Sequence, residues 1–83
     1  MSVEPVVRDF LRTELGRDAA GIGRDQSLLE SGTLDSVSVM QLVAFLETTY
    51  GITVPDEEMT PDNFDTIAAI TAFVERRQAE RRG

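Results

Sequence analysis

Residues 34–58 read LDSVSVMQLVAFLETTYGITVPDEE. Their reading decides the fold. The stretch from Ser36 to about Tyr50 carries apolar residues at helical spacing and predicts an amphipathic helix. Asp35 suits the N-cap, and Gly51 suits the left-handed position that closes a helix. Ile, Thr and Val disfavour helix, and Val54 precedes proline, so ITVP predicts a short extended exit. A helix advances about 100° per residue. On that wheel Val39, Leu42, Val43, Leu46 and Tyr50 form one stripe, read as the core face. Val37, Met40 and Ala44 fall nearly opposite. A second apolar stripe on an outer helix predicts a partner-binding surface beside Ser36; the competing reading is three scattered surface apolars.

Upstream, VEPVVRDFLRTEL (residues 3–15) repeats apolar residues at spacings of three and four. It predicts a first helix started by Ser2 or Glu4, with Pro5 tolerated in its first turn and Gly16 as its stop. Residues 16–35 form a long, glycine-containing connection, in which Ser27 to Glu30 can make one turn while Leu28 and Leu29 pin the loop to the core. Downstream, a short helix is expected within DEEMTPDNF, with Thr60 and Pro61 as cap and first residue. A fourth helix is expected from about Thr66 to Gln78 or beyond, with Asp65 at its start and Arg76, Arg77, Arg81 and Arg82 favouring its C-terminal end. The fold class is therefore all-α: a small four-helix bundle of three main antiparallel helices plus one short helix, in one domain spanning residues 1–83. The predicted core is Val6, Phe10, Leu28, Leu42, Val43, Leu46, Ile52, Val54, Phe64, Ile67, Ile70 and Phe73.

The net charge of −7 is unevenly spread. Residues 1–24 balance, residues 25–75 hold ten acids and no basic residue, and residues 76–83 return +3. The acidic mid-section repels phosphate backbones and excludes nucleic acid as a partner; it steers towards basic patches on other proteins. No apolar run approaches the ~20 residues that span a bilayer, so no membrane partner is expected. The N-terminus lacks the pattern of a secretion signal, which predicts a cytoplasmic protein. The chain ends soon after the fourth helix and reads as free-standing and monomeric.

Ser36 follows Asp35 directly. The chain has no histidine, no cysteine and no lysine. A nucleophilic serine needs a base, so catalysis by this chain is not expected. Glu57 and Glu58 have nothing to tune them, and DEEMTPDNFD lacks the ligand spacing of a calcium loop, so no dedicated metal site is expected. A serine at a helix start can instead serve as a cap, or carry a phosphoester in the favourable field of the first N–H groups.

The Asp-Ser-apolar triplet, the apolar run ending in Leu46-Glu47, the aromatic Tyr50, the extended segment and Pro55-Asp56 together resemble the signature of acyl and peptidyl carrier proteins. The resemblance covers nearly the whole chain. It implies a non-catalytic carrier in which Ser36 bears 4′-phosphopantetheine, transferred from coenzyme A by a phosphopantetheinyl transferase, with an acyl or aminoacyl group held as a thioester on the arm. It implies that Asp35 caps the helix and helps the transferase place its magnesium ion. It implies that Val37, Met40, Ala44 and Glu47 face partner enzymes: a loading enzyme (adenylating or acyl-transferring) and downstream synthase or tailoring enzymes. Carriers of fatty-acid synthesis usually place several acids along this helix, whereas here Glu47 is the one acid between Ser36 and Tyr50. The SGTLDS approach is similar to that of discrete carriers in specialised pathways: polyketide, nonribosomal-peptide, aminoacyl or D-alanyl loading. The alternatives are a cofactor-free helical adaptor and a fatty-acid-synthesis carrier.

Overall fold

A computed structural model of the protein describes residues 3–82. Four helices follow one another: α1 (Val3–Thr13), α2 (Ser36–Tyr50), α3 (Pro61–Phe64) and α4 (Ile67–Arg82), with short 3-10 turns at Ala19–Gly21 and Asp56–Glu58. The result is a small all-α bundle, without strands among the described residues.

The sequence explains where each helix stops. Past α1, Gly16 takes φ 66°, and the Arg17 N–H reaches back to the Leu11 carbonyl at 2.9 Å. That closes the helix end with a left-handed residue, a conformation glycine adopts without a Cβ penalty. Gly51 does the same after α2, at φ 65°. The expected bounds of α2 match the structure.

One core joins all four helices. α1 contributes Val3, Val7 and Leu11, each fully buried, and Phe10. α2 contributes Leu42, Val43 and Leu46; α3 gives Phe64; α4 gives Ile67, Ile70, Phe73 and Val74. Full burial of each such side chain contributes roughly 1.5–3 kcal/mol. Two ring pairs stitch the helices together: Phe10 with Phe45 at 4.8 Å and Phe64 with Phe73 at 5.2 Å between centroids. Val6 is half-buried, contrary to the expected core set. The wall of α1 that faces inward is the Val3–Val7–Leu11 line, spaced by four, and Val6 falls beside it.

The long connection between α1 and α2 is bound to the bundle rather than draped over it. Ile22, Leu28 and Leu34 are buried. Arg8 of α1 donates from Nη1 to the carbonyls of Ala19 and Ile22, at 2.5 and 2.8 Å. Its Nε binds Glu4, which also receives Arg24 at 2.7 Å. The two guanidiniums, Arg24 foremost, hold the Glu4 carboxyl below the usual range. The Ala68 N–H donates to the Arg24 carbonyl at 3.0 Å, tying the same loop to α4.

Of the expected helix starts, that of α4 needs correction. Ser2 lies outside the described residues. Thr60 and Pro61 occupy the N-cap and first positions of α3 as expected, with no capping bond from the Thr60 side chain. Asp65 does not cap α4: Thr66 does, accepting the Ala69 N–H on Oγ1 at 3.0 Å. Asp65 instead turns towards the loop. α4 extends to Arg82, in keeping with the expected end at Gln78 or beyond; the side chains of Arg81 and Arg82 lie outside the described residues. Arg77 pairs with Glu58 and packs over the Phe73 ring at 5.2 Å, fastening the turn before α3 to α4.

Candidate functional site

Asp35 has extended backbone, φ −131° and ψ −176°, and its Oδ1 accepts the Ser38 N–H at 2.8 Å. The capping duty of the second helix therefore falls on Asp35. Bonds from Ser38 hold its carboxyl below the usual aspartate range, the backbone N–H first and the hydroxyl second, with the field of Arg17 adding to them. Hydrogen bonding to the charged form has this effect. Ser36 is the first residue of α2 and is exposed. Its hydroxyl stands at the positive end of the helix, where unpaired N–H groups favour an anion. Because Asp35 does the capping, the Ser36 hydroxyl is not needed for it.

The two stripes of α2 separate as their spacing implies. Leu42, Val43 and Leu46 are buried, while Val39 and Tyr50 are half-buried against the core; burial pushes the Tyr50 hydroxyl up. On the other side Val37 and Met40 are each 64% exposed, the only large hydrophobic side chains so exposed among the described residues. Ala44 is exposed as well. Glu47 stands apart from these three. It is half-buried, and its Oε2 accepts the Val54 N–H at 2.9 Å, so it carries an internal bond at the foot of the helix.

Beside Ser36 opens an apolar cleft of about 310 Å³. Val39 and Met40 of α2 line one side; Met59, Pro61 and Phe64 come from the α3 region, and Leu29 comes from the long loop. Ser36 belongs to the same lining. Sequence reasoning placed Ser36 and the exposed stripe but not this cleft. Met59 and Leu29 lie far from Ser36 along the chain, and no local periodicity links them. Leu29 was legible only as a loop anchor.

An exposed hydroxyl on a freely presented helix start, released from capping and bordered by an apolar cleft, fits a phosphate-linked arm. Residues 5–74 match the family "Phosphopantetheine attachment site". The chain belongs to that family. It is a carrier protein, and its cofactor is 4′-phosphopantetheine, attached covalently. Carriers of this kind work with a phosphopantetheinyl transferase and with partner enzymes. The chain is similar to the D-alanyl carrier protein of Lactobacillus delbrueckii subsp. bulgaricus, 32% identical over 80 residues, which covers 96% of this chain and 99% of the relative. It is equally similar to the D-alanyl carrier protein of Streptococcus pyogenes serotype M5, 32% identical over 78 residues, with 94% and 98% covered. Among solved structures, the holo acyl carrier protein of Nitrosomonas europaea superposes with a TM-score of 0.78 at 27% identity, covering 95% of this chain and 99% of that one. A chain in a crystal structure of an FAD-dependent dehydrogenase matches with a TM-score of 0.69 at 32% identity, covering 82% and 97%. No described helix of the carrier is long and apolar enough to cross a membrane.

Proposed function

We propose that Ser36 is the attachment point of the arm and that the carrier holds an aminoacyl or acyl thioester for partner enzymes of a specialised pathway. The observation that carries this reading is the division of labour at the head of α2: Asp35 caps, and Ser36 is left exposed in the helix-terminal field. In the attachment step the Ser36 Oγ attacks the β-phosphorus of coenzyme A. The phosphoanhydride bond breaks, adenosine 3′,5′-bisphosphate leaves, and the serine proton passes to a base on the transferase. The chain itself supplies the hydroxyl, its placement and the field that accepts a phosphodiester anion. Once attached, the arm would supply a thiol on which a loading enzyme could place the cargo as a thioester, displacing the leaving group of its activated acyl donor. The use of coenzyme A as donor supports a cytoplasmic setting for this work.

Within the specialised pathways expected from the sequence, loading by an adenylating enzyme that supplies an amino acid has the most support. Two D-alanyl carrier proteins match along nearly their whole length, and α2 lacks the run of acids usual in fatty-acid carriers. Val37, Met40 and Ala44 form the partner contact, with Glu47 at its lower edge. Polyketide or nonribosomal-peptide partners are the other members of the same reading.

Incubation of the apo chain with coenzyme A, magnesium and a broad-specificity transferase tests the attachment, read by intact mass. The expected result is a gain of one phosphopantetheine that is absent from Ser36→Ala. A gain that persists in Ser36→Ala and maps to Ser38 overturns the assignment. Loading is then tested with D-alanine and an adenylating enzyme against malonyl or other acyl donors with an acyltransferase.

A further inference from the structure

The α1–α2 connection meets the α3–α4 junction at Asp65, which is half-buried and bonds the loop through both its side chain and its backbone. Its Oδ1 accepts two bonds, from Ser27 Oγ at 2.7 Å and from the Leu29 N–H at 3.1 Å. Its backbone carbonyl accepts the Leu28 N–H at 2.6 Å. The path continues towards the site. The Leu28 carbonyl accepts the Leu34 N–H at 3.0 Å, Leu34 is buried, and the next two residues are Asp35 and Ser36. Leu29, held directly by Asp65, lines the cleft that includes Ser36. A short hydrogen-bonded path therefore joins the Asp65 backbone carbonyl to the start of α2, while the Asp65 carboxylate holds Ser27 and Leu29 on either side of Leu28 and with Leu29 fixes one wall of the cleft.

We propose that Asp65 is a positioning residue for modification of Ser36: it fixes the loop segment that delivers Asp35 and Ser36 to the head of α2. The proposal rests on the reading that Ser36 takes the arm. Asp65 touches neither Ser36 nor the reacting phosphorus; its carboxylate acts through Ser27 and Leu29, which flank Leu28, whose carbonyl in turn holds Leu34. Small displacements of a nucleophile cost much in rate, because the reacting atoms must meet in a narrow geometry. A purely structural anchor has a different kinetic signature. Loss of folded carrier lowers its effective concentration, which raises the KM for the carrier and leaves kcat unchanged. Misplacement of Ser36 within the folded carrier lowers kcat at saturation and leaves the KM for coenzyme A unchanged, since the transferase binds that substrate.

The experiment measures phosphopantetheine transfer to wild-type, Asp65→Ala, Asp65→Asn and Ser36→Ala chains at varied carrier and coenzyme A. Both side-chain bonds fall on one oxygen, so asparagine retains the acceptor and is expected to react close to the wild-type rate. Asp65→Ala is expected to lose kcat on the order of tenfold, with KM for coenzyme A unmoved. Should Asp65→Ala not fold, Ser27→Ala removes one donor while leaving the α3–α4 junction intact, and is expected to show a smaller fall in kcat. Wild-type kcat in Asp65→Ala, or in Ser27→Ala where that variant stands in, overturns the positioning role alone. No mass gain in the wild-type chain overturns the Ser36 reading and this proposal with it.

Discussion

The Glu47 carboxylate of α2 accepts the Val54 N–H through Oε2 at 2.9 Å, across the left-handed turn at Gly51. Val54 is 5% exposed, so its N–H has little access to water as a substitute partner. The bond fixes the exit segment, and with it the turn at Asp56–Glu58 and the Met59 side of the cleft.

Glu47 therefore separates into two testable parts, charge and acceptor. Glu47→Gln keeps an acceptor oxygen and is expected to leave stability within about 0.5 kcal/mol of wild type, while Glu47→Ala strands the Val54 N–H at a cost of about 1–3 kcal/mol. Urea midpoints of the three proteins provide the check. Transfer rates to a partner enzyme then report on the charge: a loss in Glu47→Gln assigns Glu47 to the partner contact as well.

Met40 is 64% exposed, whereas Leu42, two residues on, is fully buried. Met40→Glu is expected to change stability by no more than about 0.5 kcal/mol and to slow turnover with partner enzymes. Leu42→Glu is expected to unfold the domain, since it places an unpaired charge in the core. Circular dichroism beside a loading assay distinguishes these outcomes. An unfolded Met40→Glu would contradict the exposed stripe.

Asp35 and Glu4 both have carboxyls held below their ordinary values, by the Ser38 bonds and by Arg24 with Arg8 respectively. A depressed folded-state pKa contributes stability that is complete above the unfolded value, ~4, and is lost as pH falls through the folded value. Denaturant midpoints are thus expected to fall on acidification below about pH 4. Asp35→Asn keeps a capping oxygen without a titrating group. Its midpoint is expected to stay near wild type at pH 7 and to show a shallower acid slope. Equal slopes would remove the cap from the acid response.

Arg8 joins α1 to the loop through the carbonyls of Ala19 and Ile22. Arg8→Met retains much of the aliphatic stem but leaves those acceptors and Glu4 without the guanidinium. A loss of about 2 kcal/mol is expected, from bonds made by a charged donor. Hydrogen exchange is expected to rise first in residues 18–24, ahead of α2, because the lost bonds lie in that segment.

The legible parts of the fold were those in which one face of one element carries the signal. The bounds of α2 could be read because Asp35, the apolar period and Gly51 are all local to it. The Val37–Met40–Ala44 stripe could be read because its residues share a helix. Val6 could not be resolved from Val3 and Val7 by spacing alone, since all three lie within one arc and the packing angle of α1 selects among them. Asp65 and Thr66 both suit a cap. The choice between them was made by Ser27 and Leu29, which claim the Asp65 carboxylate from 38 and 36 positions away.

Sequence alone determined that this is a small helical bundle with an exposed serine at a capped helix start, in a chain without histidine, cysteine or lysine. Those properties depend on residue type and on neighbours within a turn or two. The cleft beside Ser36, the Glu47–Val54 bond and the clasp at Asp65 were decided only in the tertiary structure. Each brings together groups from separate elements, and where a polar side chain finds its partner depends on how the helices pack, which no local pattern encodes.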